Sequence, residues 1–227
     1  MPGPSNFGGI VFIKSGRLCY DRRESKAKGV MTVRVIAGAA KGRALKAVPG
    51  KNTRPTTDKV KEAIFSMIGP YFDGGEALDL FAGTGGLGLE AWSRGVERVV
   101  FVDKDKLSID VVRHNVKAAG AEDASEIYRG EAERAVKALA KRGASFRLVF
   151  LDPPYRMTNM DKLMADMASR GLLEREAIVV VEHASSVEYP ETMERFAQMK
   201  HAKYGETAVT IYRYEEPNDG TNEPAGE

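Results

Sequence analysis

The sequence predicts an α/β fold: a mostly parallel sheet with helices on both faces, closed by an antiparallel hairpin at the carboxyl end. Three observations carry this. From residue 76 onward short apolar runs alternate with amphipathic stretches, and Gly95, Gly120 and Gly143 stop three of those stretches. The first apolar run enters a glycine-rich turn, Leu78-Asp79-Leu80-Phe81-Ala82-Gly83-Thr84-Gly85-Gly86-Leu87-Gly88. A later run, Leu148-Val149-Phe150-Leu151, ends in Asp152-Pro153-Pro154-Tyr155.

The elements follow in order. Ala77–Phe81 reads as a strand and Gly86–Arg94 as a helix. Arg98–Val102 is a strand and Lys106–Ala119 a helix. Glu126–Tyr128 is a weaker strand, followed by a helix over Glu131–Arg142. Phe146–Leu151 is a strand, Met160–Ser169 a helix, and Ala177–Glu182 a strand. Four successive strand–helix units ending in a further strand imply a parallel sheet with helices on both faces. Gln198–Lys203 and Ala208–Tyr214, around Tyr204-Gly205-Glu206-Thr207, read as an antiparallel hairpin.

Upstream, Val33–Ala37 and Arg43–Val48 alternate weakly around a Gly38 to Gly42 turn, which predicts a small hairpin. In Arg54-Pro55-Thr56-Thr57-Asp58 a threonine is suited to cap a helix, with Asp58 at its positive end. Val60, Ala63, Ile64, Phe65, Met67 and Ile68 form that helix's apolar stripe, and Gly69-Pro70 end it. The expected organisation is an extension over 1–30, a hairpin and helix over 31–70, a catalytic domain over 71–214, and a disordered acidic tail over 215–227.

At 227 residues the chain suits one large domain, or one with a small appendage. No apolar stretch reaches the length of a membrane span, and the first residues lack the pattern of a signal peptide. Cys19 is the single cysteine, and no Cys/His cluster has zinc-ligand spacing. These features predict a cytoplasmic, metal-free protein, read as a monomer. The net charge of +2 is uneven: residues 1–61 hold 14 Lys/Arg against 3 Asp/Glu, and residues 62–227 hold 20 against 29. A basic end on an acidic body points to a polyanionic partner.

The glycine turn formally matches a dinucleotide fingerprint, so NAD is the competing cofactor. Asp79, four residues before Gly83, argues against it, because a carboxylate there repels a pyrophosphate and suits a cationic amino group. S-adenosylmethionine carries an ammonium and a sulfonium and no phosphate. Asp103 ends the next strand, where a carboxylate accepts ribose hydroxyls. Glu131 and Ala132 follow the third strand, as candidates for contact with adenine. With Phe81, Gly83, Thr84, Gly85 and Lys104 they complete the candidate cofactor set.

An amine on a nucleobase is a poor nucleophile, because its lone pair is delocalised into the ring. Acceptors that hold its N–H groups aim the lone pair at an incoming methyl group. Asp152 supplies one acceptor and the Pro153 carbonyl another, on a backbone that consecutive prolines stiffen. Tyr155 offers a face on which a flipped-out base stacks. His114, His183, His201, Ser93 and Cys19 have no partners at catalytic spacing, and Trp92 reads as packing.

On these residues the chain resembles the bacterial 16S rRNA (guanine(966)-N(2))-methyltransferase family from about Arg34 to Tyr214. The likeness includes Arg34-Val35-Ile36-Ala37-Gly38, Lys41-Gly42-Arg43, Arg54-Pro55-Thr56-Thr57-Asp58-Lys59-Val60, the Asp79 to Gly85 segment, the Asp152 turn and Lys203-Tyr204-Gly205-Glu206-Thr207. The resemblance implies a Rossmann-like S-adenosylmethionine-dependent methyltransferase fold with seven strands, and an N-terminal hairpin that helps grip RNA. It also implies 16S rRNA in a small-subunit assembly particle as substrate. Arg34, Lys41, Arg43, Arg54, Thr56 and Arg156 are the candidate RNA contacts. An adenine-N6 methylase and a non-catalytic RNA-binding assembly factor are the competing readings.

Overall fold

A computed structural model describes residues 33–49, 57–154, 157 and 159–216 of the chain. The extension over 1–30, Arg54, Thr56, Tyr155, Arg156 and the tail beyond residue 216 lie outside the described residues.

The alternating pattern from residue 76 becomes β3 (Glu76–Asp79), α2 (Gly86–Ser93), β4 (Arg98–Asp103), α3 (Lys106–Ala119), β5 (Ser125–Arg129), α4 (Ala132–Lys141), β6 (Phe146–Leu151), α5 (Met160–Ser169) and β7 (Leu173–Ala184). β8 (Thr192–Met193), β9 (Phe196–Tyr204) and β10 (Thr207–Tyr214) complete the sheet. Its order is β5-β4-β3-β6-β7-β10-β9-β8. β3 to β7 are mutually parallel, and β10 runs antiparallel to both β7 and β9. The seven expected strands are all present, and the two-residue β8 adds a short edge beyond them. β7 starts earlier than the apolar run predicts. Its first residues include Glu176 at φ 61°, and the register against β6 shifts between Phe146 and Leu148.

Period-two alternation sorts the strands' side chains into two layers. Ala77, Val99, Phe101, Leu148, Phe150 and Val180 face one apolar cluster, which α1 (Asp58–Ile68), α2 and α3 cover. Leu78, Val100, Val102, Val149, Leu151 and Val181 face the other, under α4 and α5. Thr57 caps α1, accepting from the Val60 N–H at 3.4 Å. Trp92 packs partly buried against the first cluster, as expected.

The predicted N-terminal hairpin is a two-residue ladder, β1 (Val33–Arg34) against β2 (Ala44–Leu45). Such a ribbon cannot hold itself in water, and the body holds it instead. Val33, Val35 and Leu45 are buried in the cluster under α1 to α3. Gly38, at φ 83°, lies so close to α2 that a Cβ there would stand 1.6 Å from the Ser93 carbonyl oxygen. The Ser93 hydroxyl accepts from Ala40 N–H at 2.9 Å and donates to the Ala37 carbonyl at 2.6 Å.

Glu90 of α2 is fully buried. Its carboxylate accepts from Ile36 N–H at 2.7 Å and Ala37 N–H at 3.0 Å. It also pairs with Lys61 at 3.5 Å and Arg94 at 2.8 Å. Lys61, 1% exposed, donates as well to the Arg34 carbonyl. Burial pulls the Lys61 pKa below its ordinary value, with the Glu90 charge opposing that shift. Glu90→Gln would leave two buried cations without their counter-charge. It should cost about 3–5 kcal/mol, the usual loss for breaking a buried ion pair. Urea unfolding checks this: the midpoint should fall well below wild type, and a shift no larger than that of a surface Glu→Gln control would contradict it.

Candidate active site

The strand order reverses between β3 and β6. From β3 the chain steps outward through β4 and β5, then returns to β6 and β7 on the other side. In open α/β sheets ligands gather at the carboxyl ends of strands at such a switch point. Asp79 ends β3, Asp103 ends β4, Asp152 follows β6, and Glu182 stands near the end of β7. Residues in register on adjacent strands share a face. Asp79 pairs with Phe101 and Phe150, and Phe150 with Val180. Counting onward by two from Phe101, Phe150 and Val180 reaches Asp103, Asp152 and Glu182. Asp79, Asp103 and Glu182, which lie within their strands, therefore fall on the face that α1, α2 and α3 cover, and Asp152 follows directly on the end of β6.

The glycine turn is tied to the strands on both sides. Leu80 N–H donates to the Phe150 carbonyl at 3.1 Å and Ala82 N–H to that of Val102 at 2.9 Å. Gly83 and Gly85 take φ of 53° and 74°, conformations that side chains disfavour. A Cβ on Gly83 would meet only one neighbouring atom within 4 Å, so its backbone is open to close approach. Gly88 is the opposite case. A Cβ there would sit 2.4 Å from the Phe101 ring, so this glycine lets α2 lie against β4.

Asp79 is buried and accepts from Gly88 N–H at 3.0 Å, which places its charge under the first turn of α2. Burial pushes its pKa up to about 7 against that hydrogen bond, and the charge of Asp103 adds to the rise. Asp103 accepts from Gly83 N–H at 2.9 Å through Oδ2 and from Asp105 N–H at 2.8 Å through Oδ1. Both oxygens are thus engaged by backbone, and each keeps a second lone pair. Asp152 keeps some solvent exposure. Burial, and then the charges of Glu182 and Asp79, push its pKa well above the ordinary carboxylate range. A group of buried and half-buried carboxylates favours cations and hydrogen-bond donors.

The expected cofactor residues converge on this edge. Gly130 N–H donates to the Asp103 carbonyl at 3.1 Å, bringing Glu131 and Ala132 beside β4. Glu131 is the exposed N-cap residue of α4 and makes no capping bond with its side chain, and Ala132 is buried. Phe81 and Thr84 are partly buried, and Lys104 is exposed. Pro153 is buried and Pro154 exposed, and the Pro154 carbonyl accepts from Met157 N–H at 2.8 Å. Among the expected RNA contacts, Lys41 and Arg43 are exposed on the hairpin. Arg34 is exposed too, but its Nε donates to Asp58 Oδ2 at 2.8 Å, a partner the sequence reading did not supply.

The sequence reading also missed four side chains. Glu90 and Lys61 form the buried pair already described. Asn115 of α3, fully buried, accepts from Lys46 N–H at 2.7 Å. It donates to the carbonyls of Lys46 at 3.0 Å and Thr84 at 2.8 Å, so one amide ties the hairpin to the glycine turn. Glu182 was read only as the end of a strand. Its signal was the register, since Leu151, just before Asp152, pairs with Val181, just before Glu182, and the charge of Glu182 acts on Asp152. Among the described residues no group of three or more His, Cys, Asp and Glu is placed to hold a metal ion, and no helix is long and apolar enough to cross a membrane.

The chain is similar to known proteins. "Putative rRNA methyltransferase YlbH" of Bacillus subtilis is 51% identical over 181 residues, 80% of this chain and 98% of its own length. "Ribosomal RNA small subunit methyltransferase D" of Escherichia coli K12 is 29% identical over 183 residues, 81% of this chain and 90% of that protein. The solved structure titled "Putative methyltransferase yhhF from Escherichia coli" is 30% identical with a TM-score of 0.68, covering 81% of this chain and 98% of that one. The crystal structure of SMU.776 complexed with SAH is 10% identical, with a TM-score of 0.57 over 68% of this chain and 48% of that one, a likeness of fold alone. The fold is thus the Rossmann-like methyltransferase fold. The family described as "Conserved hypothetical protein 95" matches residues 33–213, and the chain belongs to it.

Proposed function

We propose that this chain transfers a methyl group from S-adenosylmethionine to the exocyclic N2 amine of a guanine in 16S rRNA, within a small-subunit assembly particle in the cytoplasm. One observation carries the reading. The Asp152-Pro153-Pro154 segment leaves the end of β6 at the switch point, next to β3 with its terminal Asp79, whose charge acts on Asp152, so that a cationic cofactor and an amine-bearing base would meet there. The names of the two relatives support rRNA as substrate, and that of the Escherichia coli protein supports the small subunit.

The residues present fit the cofactor. Asp79 offers a buried carboxylate to an ammonium, the open backbone at Gly83 admits the methionyl part, and the free lone pairs of Asp103 accept ribose hydroxyls. Phe81, Thr84, Gly85, Lys104, Glu131 and Ala132 complete that pocket's rim, with Glu131 and Ala132 on the adenine side. When bound, S-adenosylmethionine supplies an electrophilic methyl group. Asp152 and the Pro153 carbonyl hold the N–H groups of the base, and Asp152 receives the proton that the amine sheds. Its raised pKa suits it for this. Tyr155 stacks on the base, and Arg34, Lys41, Arg43, Arg54, Thr56 and Arg156 guide the phosphates. The protein acts as a monomer without a metal.

The pKa of Asp79 gives a signed prediction. An ammonium favours the ionised carboxylate, so below pH 7 binding must first displace a proton. S-adenosylmethionine affinity should rise between pH 5.5 and 7, by at most about tenfold per unit. Asp79→Asn should bind more weakly with a flatter profile. Isothermal titration across that range checks it; a wild-type affinity independent of pH would remove Asp79 from the ammonium site.

For catalysis, Asp152→Ala should lower kcat by about 10²–10⁴-fold. Its thermal midpoint at pH 8 should not drop, because a group whose folded pKa is raised costs stability when ionised. Tritium transfer to deproteinised rRNA and a melting curve read the two quantities. Near-normal turnover would exclude Asp152 as the amine's acceptor.

For RNA, Arg43→Ala and Arg54→Ala should each flatten the salt dependence of binding by roughly one unit of log–log slope, with cofactor affinity unchanged. Filter binding across a salt series decides. A wild-type slope in both variants, together with lost binding in a chain starting at Met31, would assign the contact to residues 1–30.

A further inference from the structure

The hairpin is held to the body at both ends. Near its turn, Glu90 and Ser93 of α2 bind the N–H groups of Ile36, Ala37 and Ala40. Just beyond β2, Asn115 of α3 binds the main chain of Lys46, accepting its N–H at 2.7 Å and donating to its carbonyl at 3.0 Å. The same Nδ2 donates to the Thr84 carbonyl at 2.8 Å. Both amide hydrogens and the amide oxygen are thus engaged. Asn115 is fully buried, so a partner that moves away leaves a polar atom unsatisfied.

Thr84 lies between Gly83 and Gly85, and the turn is gripped from its other side too, where Asp103 Oδ2 accepts from Gly83 N–H at 2.9 Å. One path of hydrogen bonds and main chain therefore runs from Asp103 through Gly83, Thr84 and Asn115 to Lys46. Its ends are where two ligands would bind. Asp103 faces the ribose hydroxyls, and Lys46 is an exposed cation on the basic hairpin. The parts between are weakly ordered by themselves: a ladder of two pairs, and a turn with glycines on both sides of Thr84. A ligand that orders one part spares the other ligand that ordering cost. We propose that Asn115 is a positioning residue that couples the two sites, so that S-adenosylmethionine in the pocket and RNA on the hairpin each tighten the binding of the other. This rests on the reading of the chain as an S-adenosylmethionine-dependent RNA methyltransferase whose hairpin grips RNA. Such coupling is reciprocal and commonly amounts to about 5–150-fold.

The test uses the full-length protein, a 16S rRNA fragment spanning the methylated guanine, and S-adenosylhomocysteine, which keeps the ammonium and ribose but has no methyl group to transfer. Filter binding gives RNA affinity without and with saturating S-adenosylhomocysteine, and calorimetry gives the reverse. In wild type each ligand should tighten the other by about fivefold or more, equally in both directions. Asn115→Ala removes all three bonds. Lys46→Pro removes the N–H that Asn115 accepts, and Lys46→Ala removes only the cation, both at an exposed position. The coupling factor should fall to about twofold or less in Asn115→Ala and Lys46→Pro, and keep its wild-type value in Lys46→Ala. Melting curves check folding, and Lys46→Pro decides if Asn115→Ala does not fold. A merely structural role would weaken the binding of each ligand and leave the factor unchanged. That result in Lys46→Pro, a wild-type factor of one, or an equal loss in Lys46→Ala overturns the proposal. A wild type that does not bind S-adenosylhomocysteine, or an RNA affinity unchanged when Lys41→Ala and Arg43→Ala are combined, overturns the reading beneath it instead.

Discussion

The structure turns on one buried carboxylate. Glu90 sits in the middle of α2, and four groups from three segments converge on it: the N–H groups of Ile36 and Ala37, the Lys61 ammonium and the Arg94 guanidinium. A hairpin with two pairs of ladder residues has too little apolar surface to fix its own position. Here its backbone donors are consumed by a carboxylate that is itself neutralised from α1 and α2. The same helix begins at the glycine turn, where Asp79 accepts from Gly88. One short helix therefore contributes its first turn to the candidate cofactor pocket and its last turns to the basic hairpin.

Asn115 makes a second connection between the same regions, since one amide serves both Lys46 and Thr84. The two links set a basic hairpin and an acidic pocket in a fixed relation. That division matters energetically. Burial raises the proton affinity of Asp79 and Asp152, and the charge of Asp103 adds to the rise at Asp79 as those of Glu182 and Asp79 do at Asp152. A cationic cofactor and an amine-bearing base relieve the repulsion between these charges, and phosphate does not. The hairpin carries the basic side chains, with Lys41 and Arg43 exposed and Arg34 partly engaged by Asp58.

The succession of strands and helices and the parallel sheet with its antiparallel hairpin were legible because strand and helix periods alternate and glycines punctuate them. Asp79, Asp103 and Asp152 were legible because each ends a strand beside a turn whose composition is unusual. Three kinds of feature were not. The Asp103 carboxylate binds the Gly83 and Asp105 N–H groups as well as facing the pocket, and backbone partners leave no mark in sequence. Lys61 and Glu90 are charges on buried faces, where apolar periodicity predicts none, and only their pairing in space explains them. Glu182 lies thirty residues from Asp152 in sequence, and their adjacency depends on the β6–β7 register, which a bulge shifts. Within the apolar run Ala177–Glu182 it looked like a strand's polar end.

The central claim is that these carboxylates serve methyl transfer to guanine N2 in 16S rRNA. The most direct measurement is mass mapping of 16S rRNA from cells lacking this protein, against the same cells supplied with the wild-type chain or Asp152→Ala. The account predicts that one N2-methylguanosine disappears, returns with the wild-type chain and stays absent with the variant. A complete N2-methylguanosine set in the deleted cells, or the loss of an N6-methyladenosine instead, would contradict it.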